Sequence, residues 1–173
     1  MKKFLLAVAA LSFAATISHA QDTPVAEVAG AYSFLYVIKG FTLATNGGSA
    51  SVTANANNWL GVVADFGAYH GSAASLTLET YTFGPRFSYR KNDRLVPFAQ
   101  MLLGGTHASA VSGGFTGTNS FAFGAGGGAD IALGSKGKFA ARPQLEYFGF
   151  RANGNTTNTV RLSIGIVYRF GRK

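Results

Sequence analysis

The chain has no cysteine, which excludes a disulfide-stapled scaffold, a zinc ribbon and a thiol nucleophile. It has no unbroken run of about 20 apolar residues, the length a membrane-crossing helix needs. Charge is scarce: 13% of residues are Asp, Glu, Lys or Arg, while 47% are hydrophobic, a balance that excludes a disordered chain. Acidic residues are scarcer still, 7 against 15 basic, for a net charge of +8. What the chain has instead is 23 Gly, 15 Phe and 7 Tyr. Gly costs about 1 kcal/mol per helix position relative to Ala, so this composition argues against a helical bundle. At 173 residues, one domain is expected.

The first twenty residues read as an export address. Lys2 and Lys3 form a basic start, and Phe4 to Ile17 is apolar apart from Ser12 and Thr16. Ser18-His19-Ala20 places small residues at the −3 and −1 positions before Gln21. This pattern is a secretory signal peptide cleaved between Ala20 and Gln21, and it is too short to span a membrane. Residues 1–20 are therefore the expected signal peptide and 21–173 the expected mature domain. Export leads to an oxidising compartment, so the missing cysteine is not a cytosolic signature.

From there the chain alternates with period two, the mark of strands with two different faces. Val160, Leu162, Ile164, Ile166, Tyr168 and Phe170 share one face of the last segment; Arg161, Ser163, Gly165, Val167 and Arg169 share the other. One parity per segment predicts eight strands near 26–38, 48–56, 59–70, 80–90, 95–107, 119–132, 138–150 and 159–170. The second is weak and polar, with Ser49, Ser51, Thr53 and Asn55 inward. The fifth is ambiguous, because Val96, Phe98 and Leu102 share a face with Gln100. The sixth carries Gly124, Gly126 and Gly128 on its polar face, where missing side chains leave room for bulky neighbours.

Connections after the second, fourth and sixth strands are expected to be tight. Those after the first, third, fifth and seventh are expected to be longer, at 39–47, 71–79, 108–118 and 152–158. An even number of antiparallel strands with short turns at one end and long loops at the other describes a bacterial outer-membrane barrel. A spanning sheet must close on itself, because lipid cannot hydrogen-bond its backbone. The apolar faces collect Tyr32, Phe34, Tyr36, Leu60, Val62, Phe66, Tyr81, Phe83, Phe121, Phe123, Tyr147 and Tyr168. The opposite faces collect Glu27, Asp65, Arg86, Arg90, Asp130, Arg142, Glu146, Arg161 and Arg169. Eight strands enclose just enough room for side chains, so these charges are expected to pair and plug the lumen. A lipocalin-like barrel would turn the faces the other way, but this candidate lumen is too charged for a greasy ligand.

Ser163-x-Gly165-x-x-Tyr168-x-Phe170 resembles the signal that outer-membrane assembly machinery reads on last strands. With it, residues 21–173 resemble the small eight-stranded outer-membrane β-barrel family, the type of the outer membrane protein A transmembrane domain and the opacity proteins. The resemblance implies an all-β, up-and-down transmembrane barrel. Its expected partners are outer-membrane lipid, lipopolysaccharide and the assembly machinery, with an extracellular ligand reached through the loops; a monomer is expected. Members with that signal usually stop at the aromatic residue, whereas Gly171-Arg172-Lys173 follows here. That tail is far too short for the peptidoglycan-binding domain of outer membrane protein A, so a cell-wall tether is not expected.

A search for chemistry returns little. Gly124-Ala125-Gly126-Gly127-Gly128-Ala129 continues into strand, not into the helix that a dinucleotide loop requires. His70 and His107 lack the spacing of a zinc site. His107-Ala108-Ser109 is similar to the His-x-Ser-Asn motif of lipid A deacylases, but Ala110 replaces the Asn. No orienting carboxylate adjoins it in sequence, since Glu79 and Asp65 belong to other strands. The basic residues are dispersed, which speaks against nucleic acid. The expectation is therefore a non-enzymatic protein without cofactor or metal, a membrane anchor with interacting loops that present Phe41 and Phe115. The second reading is a narrow ion or small-solute channel, for which the Gly-rich sixth strand offers space; an acyl hydrolase is the distant third.

Overall fold

The computed structural model describes residues 23–39, 42–71, 76–110, 117–134, 137–152 and 154–172. The expected leader, its Ala20–Gln21 junction, Phe41 and Phe115 lie outside the described residues. Eight strands follow one another: β1 (Pro24–Val37), β2 (Thr42–Asn55), β3 (Leu60–Gly71), β4 (Leu76–Ser88), β5 (Leu95–Ala110), β6 (Thr118–Leu133), β7 (Phe139–Ala152) and β8 (Asn155–Arg172). Each pairs antiparallel with its sequence neighbours, and β1 pairs with β8 to close an all-β barrel. Closure leaves no edge strand, so the ladder satisfies the spanning backbone internally. The seam runs in unbroken register from Ala26 opposite Phe170 to Val37 opposite Thr159.

The alternation sets the faces. Ile164 is 64% exposed on β8, while Arg161 on the same strand is 1% exposed. Arg86, Glu27, Asp65 and Glu146 are buried, and Val62, Phe66, Phe83, Met101 and Leu145 are exposed. This order is the reverse of a soluble lipocalin-like barrel, which hides its apolar face. On β8 the outward apolar row from Val160 to Phe170 runs about 33 Å along the strand. At a tilt of about 45° that is roughly 23 Å along the barrel axis, close to the lipid-facing band of outer-membrane barrels.

One expectation is corrected. The connections at the outer end are not long loops, because the strands run through most of them. β2 begins at Thr42, β4 at Leu76 and β8 at Asn155, and β5 continues to Ala110. Toward the outer end the inward positions carry hydroxyl side chains such as Thr45, buried at 2% exposure, so apolar alternation fades while backbone pairing persists. The sequence pattern therefore marks where the apolar band stops, not where the strands stop. At the other end the turns are tight and locally bonded. Asn57 Oδ1 accepts from the Trp59 and Leu60 amides at 3.0 and 2.7 Å, and Asn92 Oδ1 accepts from the Arg94 amide at 2.9 Å. Back at the outer end, between β7 and β8, Gly154 takes φ +80°, which an L side chain rarely adopts.

β5 resolves as a mixed inward face: Val96, Phe98, Gln100 and Leu102 are all buried. The glycines of β6 are what that face requires. A side chain on Gly124 would meet the Phe148 ring, one on Gly126 would meet Glu146, and one on Gly128 would meet the Phe98 ring. At these three positions the space a side chain would need is taken by neighbouring side chains and, at Gly126 and Gly128, first by the Leu145 and Pro143 carbonyls.

Candidate functional site in the barrel lumen

The nine charged residues assigned to the inward faces come together inside the barrel. Nearest the chain termini, Glu27 on β1 takes three guanidiniums. Its Oε1 lies 2.8 Å from Arg90 Nη2, and its Oε2 lies 2.8 Å from Arg142 Nη2 and 3.7 Å from Arg86 Nη1. Arg142 reaches on to Asp130, with Nε at 2.5 Å from Oδ1 and Nη2 at 2.7 Å from Oδ2. That fork-to-fork arrangement is the strongest geometry available to an Arg–carboxylate pair. Asp130 Oδ2 also receives Arg169 at 3.4 Å.

Further along the axis, Arg161 is held between Glu146 and Asp65. Its Nε donates to Glu146 Oε2 at 2.7 Å, and its Nη1 donates to Asp65 Oδ1 at 2.7 Å and to the Tyr69 hydroxyl at 2.8 Å. Gln100 joins the two groups. Its Oε1 accepts from Arg86 Nε at 2.8 Å, and its Nε2 donates to Glu146 Oε1 at 2.6 Å. Gln144 adds a second amide to Glu146 at 2.7 Å. Of these bridging groups Tyr69 was not foreseen from the sequence, Gln100 was left undecided, and Gln144 shares the polar face of its strand with Arg142 and Glu146 but was not assigned to the network. Their inward parity on β3, β5 and β7 was the available signal.

Aromatic rings wall the charges. The Arg86 and Arg142 guanidinium carbons lie 4.5 and 4.9 Å from the Phe98 ring centre, and that of Arg161 lies 4.8 Å from the Phe148 ring centre. Toward the outer end the filling turns apolar and hydroxylic. Val63, Leu102 and Phe148 form a buried cluster against Phe150, and Leu35 and Tyr69 are buried beside hydroxyls. Ser33 Oγ bonds Ser163 Oγ at 2.7 Å and Ser49 Oγ at 3.2 Å.

The last-strand motif divides between the faces. Ser163 and Gly165 lie on the lumen side, and a side chain on Gly165 would collide with Gly30 and Ala31 across the seam. Tyr168 and Phe170 pack edge to face on the outside, 4.5 Å apart, with Tyr168 also 5.0 Å from Phe139. The chain continues as strand through Arg172, which pairs with Pro24.

At the outer rim, polar pairs bridge adjacent strands: Tyr32 with Asn46, His70 with Thr77, His107 with Asn119, and Tyr147 with Asn158. The hydrolase candidate needs two corrections. Glu79 is not remote from His107 but directly opposite it in the β4–β5 register. His107 Nδ1 also bonds Asn119 Oδ1 at 2.8 Å, so an orienting group exists after all, supplied by β6. The Cε1–Nε2 edge of the ring, however, lies over Gly117, where a side chain would collide with it. The nitrogen that would serve as base is turned to that edge of β6. Among the described residues no cluster of His, Asp or Glu could hold a metal ion.

This architecture is that of the small transmembrane β-barrels. Neisserial surface protein A superposes with a TM-score of 0.66 at 15% identity, covering 84% of this chain and 96% of that one. Ail, the attachment invasion locus protein of Yersinia pestis, gives a TM-score of 0.58 at 16% identity over 86% and 99%. The N-terminal β-barrel domain of Pseudomonas aeruginosa OprF gives 0.59 at 12% identity over 86% and 100%. No protein-family model matches the chain, and no curated protein matches it in sequence.

Proposed function

We propose that this is an exported bacterial outer-membrane protein whose barrel is a closed, rigid anchor for surface interaction. Residues 1–20 are removed on export, both ends of the mature chain lie in the periplasm, and the lumen conducts no ions at rest. The observation that carries the reading is the chain of hydrogen bonds and ion pairs from Arg90 through Glu27, Arg86, Gln100 and Glu146 to Arg161 and Asp65, in which the Glu27–Arg86 step is an ion pair at 3.7 Å. An ion crossing the barrel would have to break several buried charge-assisted bonds at once. The outward apolar band favours lipid on all sides, and the rim of Tyr, Asn and His side chains suits lipopolysaccharide sugars and headgroups. Interaction through the outer connections draws support from Ail, whose name records attachment and invasion.

The test is conductance of the refolded protein in a planar bilayer, with folding checked by a heat-dependent gel shift. A folded, silent parent and a conducting Glu146→Ala variant are expected. Resolved single-channel steps in the parent would replace the anchor with a narrow pore.

A further inference from the structure

The lumen charges are not evenly matched along the axis. In the half nearest the termini, the guanidiniums of Arg86, Arg90, Arg142 and Arg169 share, among the described residues, only the carboxylates of Glu27 and Asp130. Beyond Gln100 the balance reverses, with Arg161 alone between Asp65 and Glu146. The periplasmic half therefore carries a surplus of positive charge that nothing in its own shell neutralises. Its donors tell the same story. Arg86 Nη1 and Nη2, Arg142 Nη1 and Arg169 Nε meet no hydrogen-bond acceptor among the described residues; Arg161 Nη2, in the other half, makes no hydrogen bond either but lies 2.5 Å from a Glu146 oxygen, whereas the nearest carboxylate to Arg86 Nη1 is 3.7 Å away. Arg86 is 1% exposed and Arg142 2%.

A guanidinium has five donors and cannot shed its charge, so burial of this kind calls for an acceptor of opposite sign. Arg86 and Arg142 converge on the same carboxylate oxygen, Glu27 Oε2, and share the Phe98 ring. The ring packs against them without accepting from their in-plane N–H groups. On the same side, a depression of about 500 Å³ at the periplasmic mouth is lined by Asn58, Ser88, Arg90 and Lys91, with Asp93 its one acid among the described residues; neither Arg86 nor Arg142 lines it. Arg90, on its wall, bonds Glu27 directly, and Glu27 in turn meets Arg86 and Arg142.

We propose that the periplasmic half of the lumen binds a small inorganic anion on Arg86 and Arg142, admitted past Arg90. The anion completes the charge balance of a barrel interior whose own carboxylates are too few. This is independent of whether the barrel conducts, since the anion is a bound component and not a permeating one.

Bromide is the probe. The refolded protein in zwitterionic detergent is titrated with sodium bromide against sodium gluconate at constant ionic strength, and the bromide NMR line width is read. Saturable broadening that chloride displaces is expected, and Arg86→Gln should weaken it about tenfold or more. Lys91→Gln, on the exposed turn, should leave it in place. Absence of saturable broadening in the parent, or equal broadening in a folded Arg86→Gln protein, overturns the proposal. If Arg86→Gln does not refold, anomalous diffraction from parent crystals grown in bromide decides: a peak beside the Arg86 guanidinium supports the site, and peaks confined to the surface overturn it. Sulfate replacing bromide with equal or greater effect would assign the site to oxyanions instead of halides.

Discussion

Glu27 Oε2 lies 2.8 Å from Arg142 Nη2, although the two residues stand on β1 and β7, on either side of β8. The bond spans the strand that completes the barrel, so it forms only when closure is complete. Glu27→Gln keeps the shape but removes the charge that Arg86, Arg90 and Arg142 share. Breaking a buried pair from one side costs about 3–5 kcal/mol, because the partner charges stay buried. The expected result is a lower urea midpoint for the refolded protein, with the slope unchanged. An unchanged midpoint would show that these guanidiniums are stabilised by something other than Glu27.

The outer face makes the opposite demand. Ile164 is 64% exposed, near the middle of the outward row of β8. Ile164→Arg places a charge in lipid and should cost about 2–4 kcal/mol in a bilayer. In detergent the loss should be smaller, because the head of the side chain reaches water more easily. Equal stability of parent and variant in bilayers would mean that this row does not face hydrocarbon.

The single tryptophan gives a depth gauge. Trp59 sits in the β2–β3 turn, 53% exposed, and stacks on Phe87 with centroids 6.0 Å apart and planes 14° from parallel. Aromatic residues with one polar edge settle at the membrane–water interface. Its fluorescence should be quenched by lipids brominated close to the headgroup and hardly at all by lipids brominated near the chain ends. Strong quenching only by aqueous iodide would move the periplasmic boundary above this turn.

Both faces of the barrel were legible because the period-two pattern is strong wherever one side meets lipid and the other meets charge. The last strand reads as a single sentence from Val160 to Phe170. Legibility failed where that contrast is missing. On β2 the residues from Thr42 onward belong to the ladder but carry no apolar alternation, so the strand seemed to begin later. On β5 the inward face mixes Phe98 and Leu102 with Gln100, all buried, so apolar character there does not mark the outside. The partners of each charge were beyond reach of the sequence for another reason. Pairing depends on strand stagger, and Arg161 meets Asp65 on a strand 96 residues away. The orienting role of Asn119 for His107 is invisible for the same cause, since it arises only once β5 and β6 are in register.

Gly67 and Tyr69 offer the sharpest check on how tightly the lumen is filled. They lie two apart on β3, both inward, and a side chain on Gly67 would strike the phenol ring of Tyr69 near its hydroxyl. That hydroxyl accepts from Arg161 Nη1 at 2.8 Å. Gly67→Ala must therefore either push Tyr69 off Arg161 or shift the strand, and overpacking of this sort costs about 1–3 kcal/mol. Tyr69→Phe removes only the hydroxyl and leaves a charged donor short of one acceptor, a loss of about 1.5–3 kcal/mol. If both act through the same bond, the double variant should be less destabilised than the sum of the two, since the bond can be lost only once. Urea unfolding of all four proteins in the same vesicles gives the cycle. Strict additivity would mean that the ring yields without releasing Arg161, and that the outer half of the lumen is looser than its burial implies.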